Sequence, residues 1–156
     1  MIRPATPRDL PTILAMVHEL AEYEREPEAV EATEADLRAM LFAPGPKVFC
    51  HVAEEDGEVV GHAVWYLSFS TWTGRHGIWL DDLYVRPAHR GKGLGVALVQ
   101  SLAAICVEHG YRRLEWWVLD WNEPAIRIYQ GIGARSMDDW TVNRLDGEVL
   151  VRLGTP

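Results

Sequence analysis

Three consecutive pieces of this chain leave few folds open to it. IWLDDLYV (Ile78 to Val85) is a run of strand formers, Arg86 to Gly93 is a loop, and the helix pattern that follows carries Leu94, Ala97, Leu98, Leu102 and Ile105 on one face. An amphipathic helix entered from a strand buries its stripe against a sheet, which predicts layered α/β architecture. The joint itself reads RGKGLG, with glycines at 91, 93 and 95, so backbone amides at a helix N-terminus stand open to an anion. Arg90 and Lys92 add positive charge there. A dinucleotide fingerprint would need glycine where Val96 or Leu98 stands, and a P-loop would need Ser or Thr where Gly93 stands, so neither motif is present. A plain tight turn is the competing reading of the glycines.

The flanking sequence predicts the other elements. Met1 to Ala5 reads as a short strand, and Thr6, Pro7 and Asp9 as a helix start. Leu10, Ile13, Leu14, Val17, Leu20 and Ala21 draw one apolar stripe down a helix ending near Tyr23. Thr33 and Asp36 resemble a capping box for a second helix with Leu37, Met40 and Leu41, stopped by Ala43 to Pro46. From Lys47 two β-rich runs surround Glu55, Asp56 and Gly57, a hairpin signal. Arg113 to Leu119 reads as a strand, Asn122 with Pro124 opens a helix through Tyr129, and Gly131 and Gly133 end it. Ser136 to Arg144 and Glu148 to Leu153 read as two final strands around Asp146 and Gly147. The order β, α, α, β, β, β, α, β, α, β, β predicts a mixed sheet flanked by helices.

A length of 156 residues fits one domain, 1–156, and 48% hydrophobic with 24% charged residues is an ordinary globular balance. No apolar run approaches the ~20 residues that cross a bilayer, and the first ten residues lack a secretory leader, so a cytoplasmic protein without a membrane partner is expected. A net charge of −8 argues against nucleic acid and favours cationic partners. Between Glu19 and Asp36 eight acids face one base, Arg25, which reads either as a solvated helix end or as a region steering an amine. Cys50 and Cys106 sit in apolar runs and read as small buried hydrophobes. The histidines at 18, 51, 62, 76, 89 and 109 show no metal-ligand spacing, so no metal is expected.

RGKGLG after LDDLYVRP resembles the (Arg/Gln)xxGxG acyl-CoA loop of the GNAT superfamily of N-acyltransferases. WNEPAIRIYQGIGA (Trp121 to Ala134) is similar to that superfamily's later segment, in which an Asn opens a helix carrying a Tyr before a glycine turn. HELAEYE (His18 to Glu24), FSTWTG (Phe69 to Gly74) and RLEWWVLDWNEPAI (Arg113 to Ile126) resemble the spermidine/spermine, or diamine, acetyltransferases and their thialysine-acetylating relatives. The likeness covers essentially the whole chain. It implies a mixed, mostly antiparallel central sheet of about six to seven strands flanked by helices, acetyl-CoA as co-substrate, and a homodimer.

The resemblance also implies roles. Leu83, Tyr84 and Val85 would lie beside the pantetheine arm, Arg90 would open the loop, and Gly91, Lys92, Gly93, Leu94, Gly95 and Val96 would wrap the pyrophosphate. Asn122, Glu123, Pro124 and Ala125 would touch the cofactor, and Tyr129 would be the general acid for the coenzyme A thiolate; a buried helix aromatic is its structural alternative. Asp81 stands where the diamine acetyltransferases have the Glu proposed to take the amine's proton through a water. Strand alternation puts Asp81, Leu83 and Val85 on one face and Asp82 and Tyr84 on the other, and ion pairing to nearby Arg is the alternative for the two aspartates. Tyr23, Glu24, Trp72, Asp81, Asp82, Glu115, Trp116 and Trp117 would form the amine site, acids within aromatic walls. Polyamine acetyltransferases have an Asp where Ser70 stands, so one polyamine anchor is missing. The implied activity is acetyl transfer to a primary amine of a small cationic acceptor; the alternatives are a protein amine acetyltransferase and a noncatalytic acyl-CoA sensor.

Overall fold

The computed structural model describes residues 1–155. The chain forms two compact units, Met1–Glu123 and Pro124–Pro156. The first holds β1 (Ile2–Pro4), α1 (Leu10–Tyr23), α2 (Glu34–Phe42), β2 (Val48–Glu55), β3 (Glu58–Ser70), β4 (Arg75–Val85), α3 (Leu94–His109) and β5 (Leu114–Glu115). Its sheet runs β1-β2-β3-β4-β5, antiparallel except for the β4–β5 pair, which α3 connects. The predicted mixed, mostly antiparallel sheet is present, with five strands in place of six to seven.

Local chemistry accounts for the elements. Asp56 (φ 51°) and Gly57 (φ 83°) are both left-handed, as a two-residue hairpin turn matched to strand twist requires. The capping box at Thr33 and Asp36 forms, with Thr33 Oγ1 accepting from the Asp36 N–H at 3.2 Å. Leu10 and Ile13 of the expected stripe are buried, Leu14, Val17, Leu20 and Ala21 are half-buried, and Met16, outside that stripe, is buried as well.

The sheet is covered on both faces. Ala53, Ala63, Trp65, Ile78 and Leu80 pack with Leu98, Val99 and Leu102 of α3, joined by Leu83 and Val85. Cys50 and Val52 pack with Leu10 and Ile13 of α1 and Leu41 of α2, joined by Val64. Val64 pairs with Asp82 but Trp65 with Leu80, so Asp81 is an unpaired bulge residue. The predicted division of Leu83 and Val85 from Asp82 and Tyr84 holds. The bulge reverses parity, so that Ile78 and Leu80 share the α3 face with Leu83 and Val85.

The bulge also explains why β5 covers only Leu114–Glu115 and not the expected Arg113 to Leu119. β4 and β5 pair at Ile78↔Leu114 and Trp79↔Glu115 and then part, because a bulged strand bends and residues 116–119 lose their ladder neighbour.

The second unit contains most of α4 (Glu123–Gly131) and all of α5 (Gly147–Gly154). The two strands expected at Ser136 to Arg144 and Glu148 to Leu153 are absent; the first segment is irregular and the second is α5. A strand needs a neighbour for its amides, whereas a helix satisfies them internally. Asp146 sits extended at the N-cap of α5, with Glu148 in the first turn and Arg152 in the last, charges that suit the helix dipole.

Candidate active site

The loop after β4 folds as its glycines dictate. A short helical turn, Pro87–His89, leads into Gly91 (φ 79°) and Gly93 (φ 80°), both in the left-handed region. Gly93 is the N-cap of α3 and offers no side-chain acceptor, so the amides of Leu94, Gly95 and Val96 keep their hydrogens for a ligand. With the positive end of the helix dipole this makes a phosphate cradle.

The two cations of the loop are already engaged. Glu55 accepts from Lys92 Nζ at 2.7 Å and lies 2.6 Å from His89 Nδ1, and these partners, Lys92 foremost, hold its carboxyl below the usual range. Nothing in sequence order foretells a contact that spans the hairpin and β4. Arg90 Nε donates to the Val85 carbonyl at 2.8 Å, and its guanidinium lies 5.1 Å over the Tyr23 ring and 5.5 Å over the Tyr84 ring. Tyr84 is buried, and the side chains of Leu83 and Val85 belong to the core under α3. What this stretch of β4 presents is its backbone edge, free of β5 beyond Trp79.

Carboxyl groups converge where the bulge lies. Asp82 is pushed up to about 6, first by burial and then by the charges of Asp81 and Glu24. Burial also raises Asp81, opposed by a hydrogen bond from Trp79, and burial raises Glu24 at the end of α1. The Tyr66 phenol is raised by burial and by Asp81. Carboxylates that resist ionising together favour a bound cation, which relieves the repulsion among them.

The aromatic residues divide. Trp117, 59% exposed, meets Trp79 edge-on at 5.1 Å, beside the acids. Trp116 packs on the core beneath α3, and Trp72 stands 85% exposed at the β3–β4 turn. Glu115 lies 3.8 Å from Arg113, whose Nη2 donates to Ser70 Oγ at 3.0 Å. Arg113 carries no local signal of this contact, since its pairing with Ser70 spans 43 residues. Tyr23 donates from its hydroxyl to Asn122 Oδ1 at 3.0 Å and tilts against Trp121 at 5.8 Å.

In the second unit Pro124 and Ala125 stand in the first turn of α4 and Tyr129 in its last. The helix closes with the Ala134 N–H on the Tyr129 carbonyl at 3.0 Å and Gly133 at φ 90°. Among the described residues no cluster of His, Cys, Asp and Glu suited to a metal ion is formed.

Comparison with known proteins follows the same lines. Residues 13–134 match the Acetyltransferase (GNAT) family. The chain is 38% identical to a thialysine N-epsilon-acetyltransferase of Bos taurus, over 98% of this chain and 96% of that protein. It is 32% identical to the spermidine/spermine N(1)-acetyltransferase-like protein 1 of Homo sapiens, over 96% of this chain and 23% of that longer protein. An integron cassette protein from the mobile metagenome of V. cholerae has a similar structure, with TM-score 0.83, 28% identity, and coverage of 100% of this chain and 98% of the other.

Proposed function

The chain belongs to the acetyltransferase (GNAT) family, and from that premise we propose that it transfers the acetyl group of acetyl-CoA to the primary amine of a small cationic acceptor, a thialysine-like amino acid or a diamine or polyamine. The observation that carries the acceptor class is the meeting of Glu24, Asp81 and Asp82, whose raised carboxyls are suited to an ammonium group.

Acetyl-CoA supplies an activated thioester, and the residues of this chain fit it. The amides of Leu94 to Val96 and the glycine turns accept the pyrophosphate, and the open edge of β4 from Asp82 to Val85 runs beside the pantetheine arm. Arg90 sits at the loop entrance. By the family resemblance Asn122, Glu123, Pro124 and Ala125 would also touch the cofactor.

The acceptor binds as an ammonium with Asp82 and Glu24 as counter-charges and Trp79 and Trp117 as an apolar wall. Asp81, more exposed, takes the proton through a water and leaves a neutral amine. The nitrogen bonds to the acetyl carbon, the carbon–sulfur bond breaks, the sulfur takes the proton of the Tyr129 hydroxyl, and the second proton released by the acylated nitrogen passes through solvent to restore Tyr129. Neither cysteine suits an acyl-enzyme route: burial pushes the Cys50 thiol up to about 12 and also raises Cys106. Transfer is direct.

We further assign one acetyltransferase domain, residues 1–156, acting in the cytoplasm as a homodimer. The exposed Trp140, Val142, Leu145, Leu150 and Leu153 support the dimer as apolar surface suited to a second copy. No helix among the described residues is long and apolar enough to cross a membrane. Incubation with acetyl-CoA and thialysine, with the product identified by mass, tests the reaction; Tyr129→Phe should slow turnover at least tenfold while coenzyme A affinity stays within twofold. Unchanged turnover removes Tyr129 from the chemistry.

A further inference from the structure

Tyr23 has both its ring face and its hydroxyl engaged. Arg90 lies 5.1 Å over the ring, and Asn122 accepts from the hydroxyl at 3.0 Å. The ring also tilts against Trp121, whose own face is covered by Arg25 at 4.4 Å. α1 fixes the residue from behind, with the Glu24 N–H returning to the Leu20 carbonyl at 2.9 Å.

We propose that Tyr23 is a positioning residue for the acetyl-CoA loop and not part of the acceptor wall. This rests on the assignment of Gly91 to Val96 as the cofactor cradle. An ammonium seeking the Tyr23 ring would have to displace a guanidinium already stacked there, and the two cations repel. What Tyr23 does hold is Arg90, the residue from which the loop departs. Tyr84 carries the same guanidinium on its ring at 5.5 Å, and the Val85 carbonyl accepts from its Nε at 2.8 Å. A planar cation held by two rings and a carbonyl has little freedom, so the amides after it are set before the cofactor arrives. The bond to Asn122 carries the brace to the segment after β5, across the gap that opens where β4 and β5 part. Tyr23 thereby ties together the two sides of the cofactor groove within the first unit.

The test is titration of coenzyme A by calorimetry with steady-state kinetics on wild type, Tyr23→Phe and Tyr23→Leu. Tyr23→Leu removes ring and hydroxyl, and the coenzyme A Kd and acetyl-CoA KM should rise about 3- to 30-fold while acceptor KM and kcat stay within twofold. Tyr23→Phe keeps the stacked ring but loses the bond to Asn122, so its coenzyme A Kd should fall between those of wild type and Tyr23→Leu. In a double-mutant cycle, Arg90→Lys should be strongly non-additive with Tyr23→Leu. A rise in acceptor KM with unchanged coenzyme A affinity would overturn the proposal, as would additivity in the cycle. Should Tyr23→Leu melt early, Tyr23→Phe and Arg90→Lys still decide it, since a loss confined to stability moves no KM ratio. Wild-type protein that fails to bind coenzyme A would sink the cofactor assignment itself, a separate outcome because the titration needs no acceptor.

Discussion

Asp82 is paired across the ladder with Val64, while its neighbour Asp81 is the residue that the bulge leaves without a partner. One residue of slip in β4 thus separates two chemically identical side chains into an enclosed carboxyl and an exposed one. Asp82, raised to about 6 by burial and by its acidic neighbours, is the group that needs a cation.

Removing that charge should trade activity for stability. A raised carboxyl destabilises the fold once ionised, so the favourable contribution of Asp82 is present at low pH and is lost as pH rises through about 6. Asp82→Asn should melt higher than wild type at pH 8, and its acceptor KM should rise at least tenfold. Wild-type acceptor kcat/KM should climb through an inflection near 6, and that inflection should vanish in the variant; its persistence would assign it to another group.

His62 gives the opposite slope. It is fully buried, its two ring nitrogens find no hydrogen-bond partner among the described residues, and burial holds it down to about 4. The folded state refuses a proton that the unfolded chain accepts, so its contribution is full above about 6.5 and is lost as pH falls toward 4. His62→Leu removes two unsatisfied polar atoms and should stabilise the protein by about 1–2 kcal/mol at neutral pH, with a larger gain at pH 5. Denaturant midpoints at the two pH values measure it, and a destabilised variant would mean that a bound water satisfies the ring.

On the proposed cofactor assignment, Glu55 would compete with acetyl-CoA for the loop's charge. With Lys92 and His89 both on one carboxylate, Glu55→Gln should free Lys92 and lower the acetyl-CoA KM about two- to fivefold at low salt, with the gain disappearing near 1 M salt as screening sets in. An unchanged KM at low salt would mean that Lys92 does not reach the phosphates.

Ser70 and Arg113 form a pair, and on the proposed function it would bear on acceptor choice. A Ser70→Asp carboxylate would meet the Arg113 guanidinium now bonded to Ser70 Oγ at 3.0 Å and be neutralised by it. Ser70→Asp alone should therefore raise spermidine kcat/KM less than twofold, while Ser70→Asp with Arg113→Ser should raise it at least fivefold. Equal gains in the two variants would show that Arg113 does not control the position.

Local chemistry made much of this legible in the sequence. The Asp56–Gly57 turn, the Thr33 capping box and the glycine loop ahead of α3 each depend on residues a few positions apart, and each forms. What escaped depends on separation in sequence or on a neighbour. The bulge at Asp81 follows from register against β3, and Glu55 meets Lys92 from 37 residues away. Val149 to Leu153 alternate little, and the charges at the two ends of α5 suit a helix. The candidate acids were visible as residues, and their unequal environments were not.

A free-thiol assay with acetyl-CoA measures acetyl transfer to a small amine. The panel is thialysine, lysine, putrescine, spermidine and a basic peptide, each read as kcat/KM. Thiol release is expected with the small amines, and with Ser70 in place of a carboxylate thialysine should exceed spermidine. Tight coenzyme A binding without release toward any amine would contradict it and leave an acyl-CoA sensor; release with the peptide alone would move the acceptor to protein.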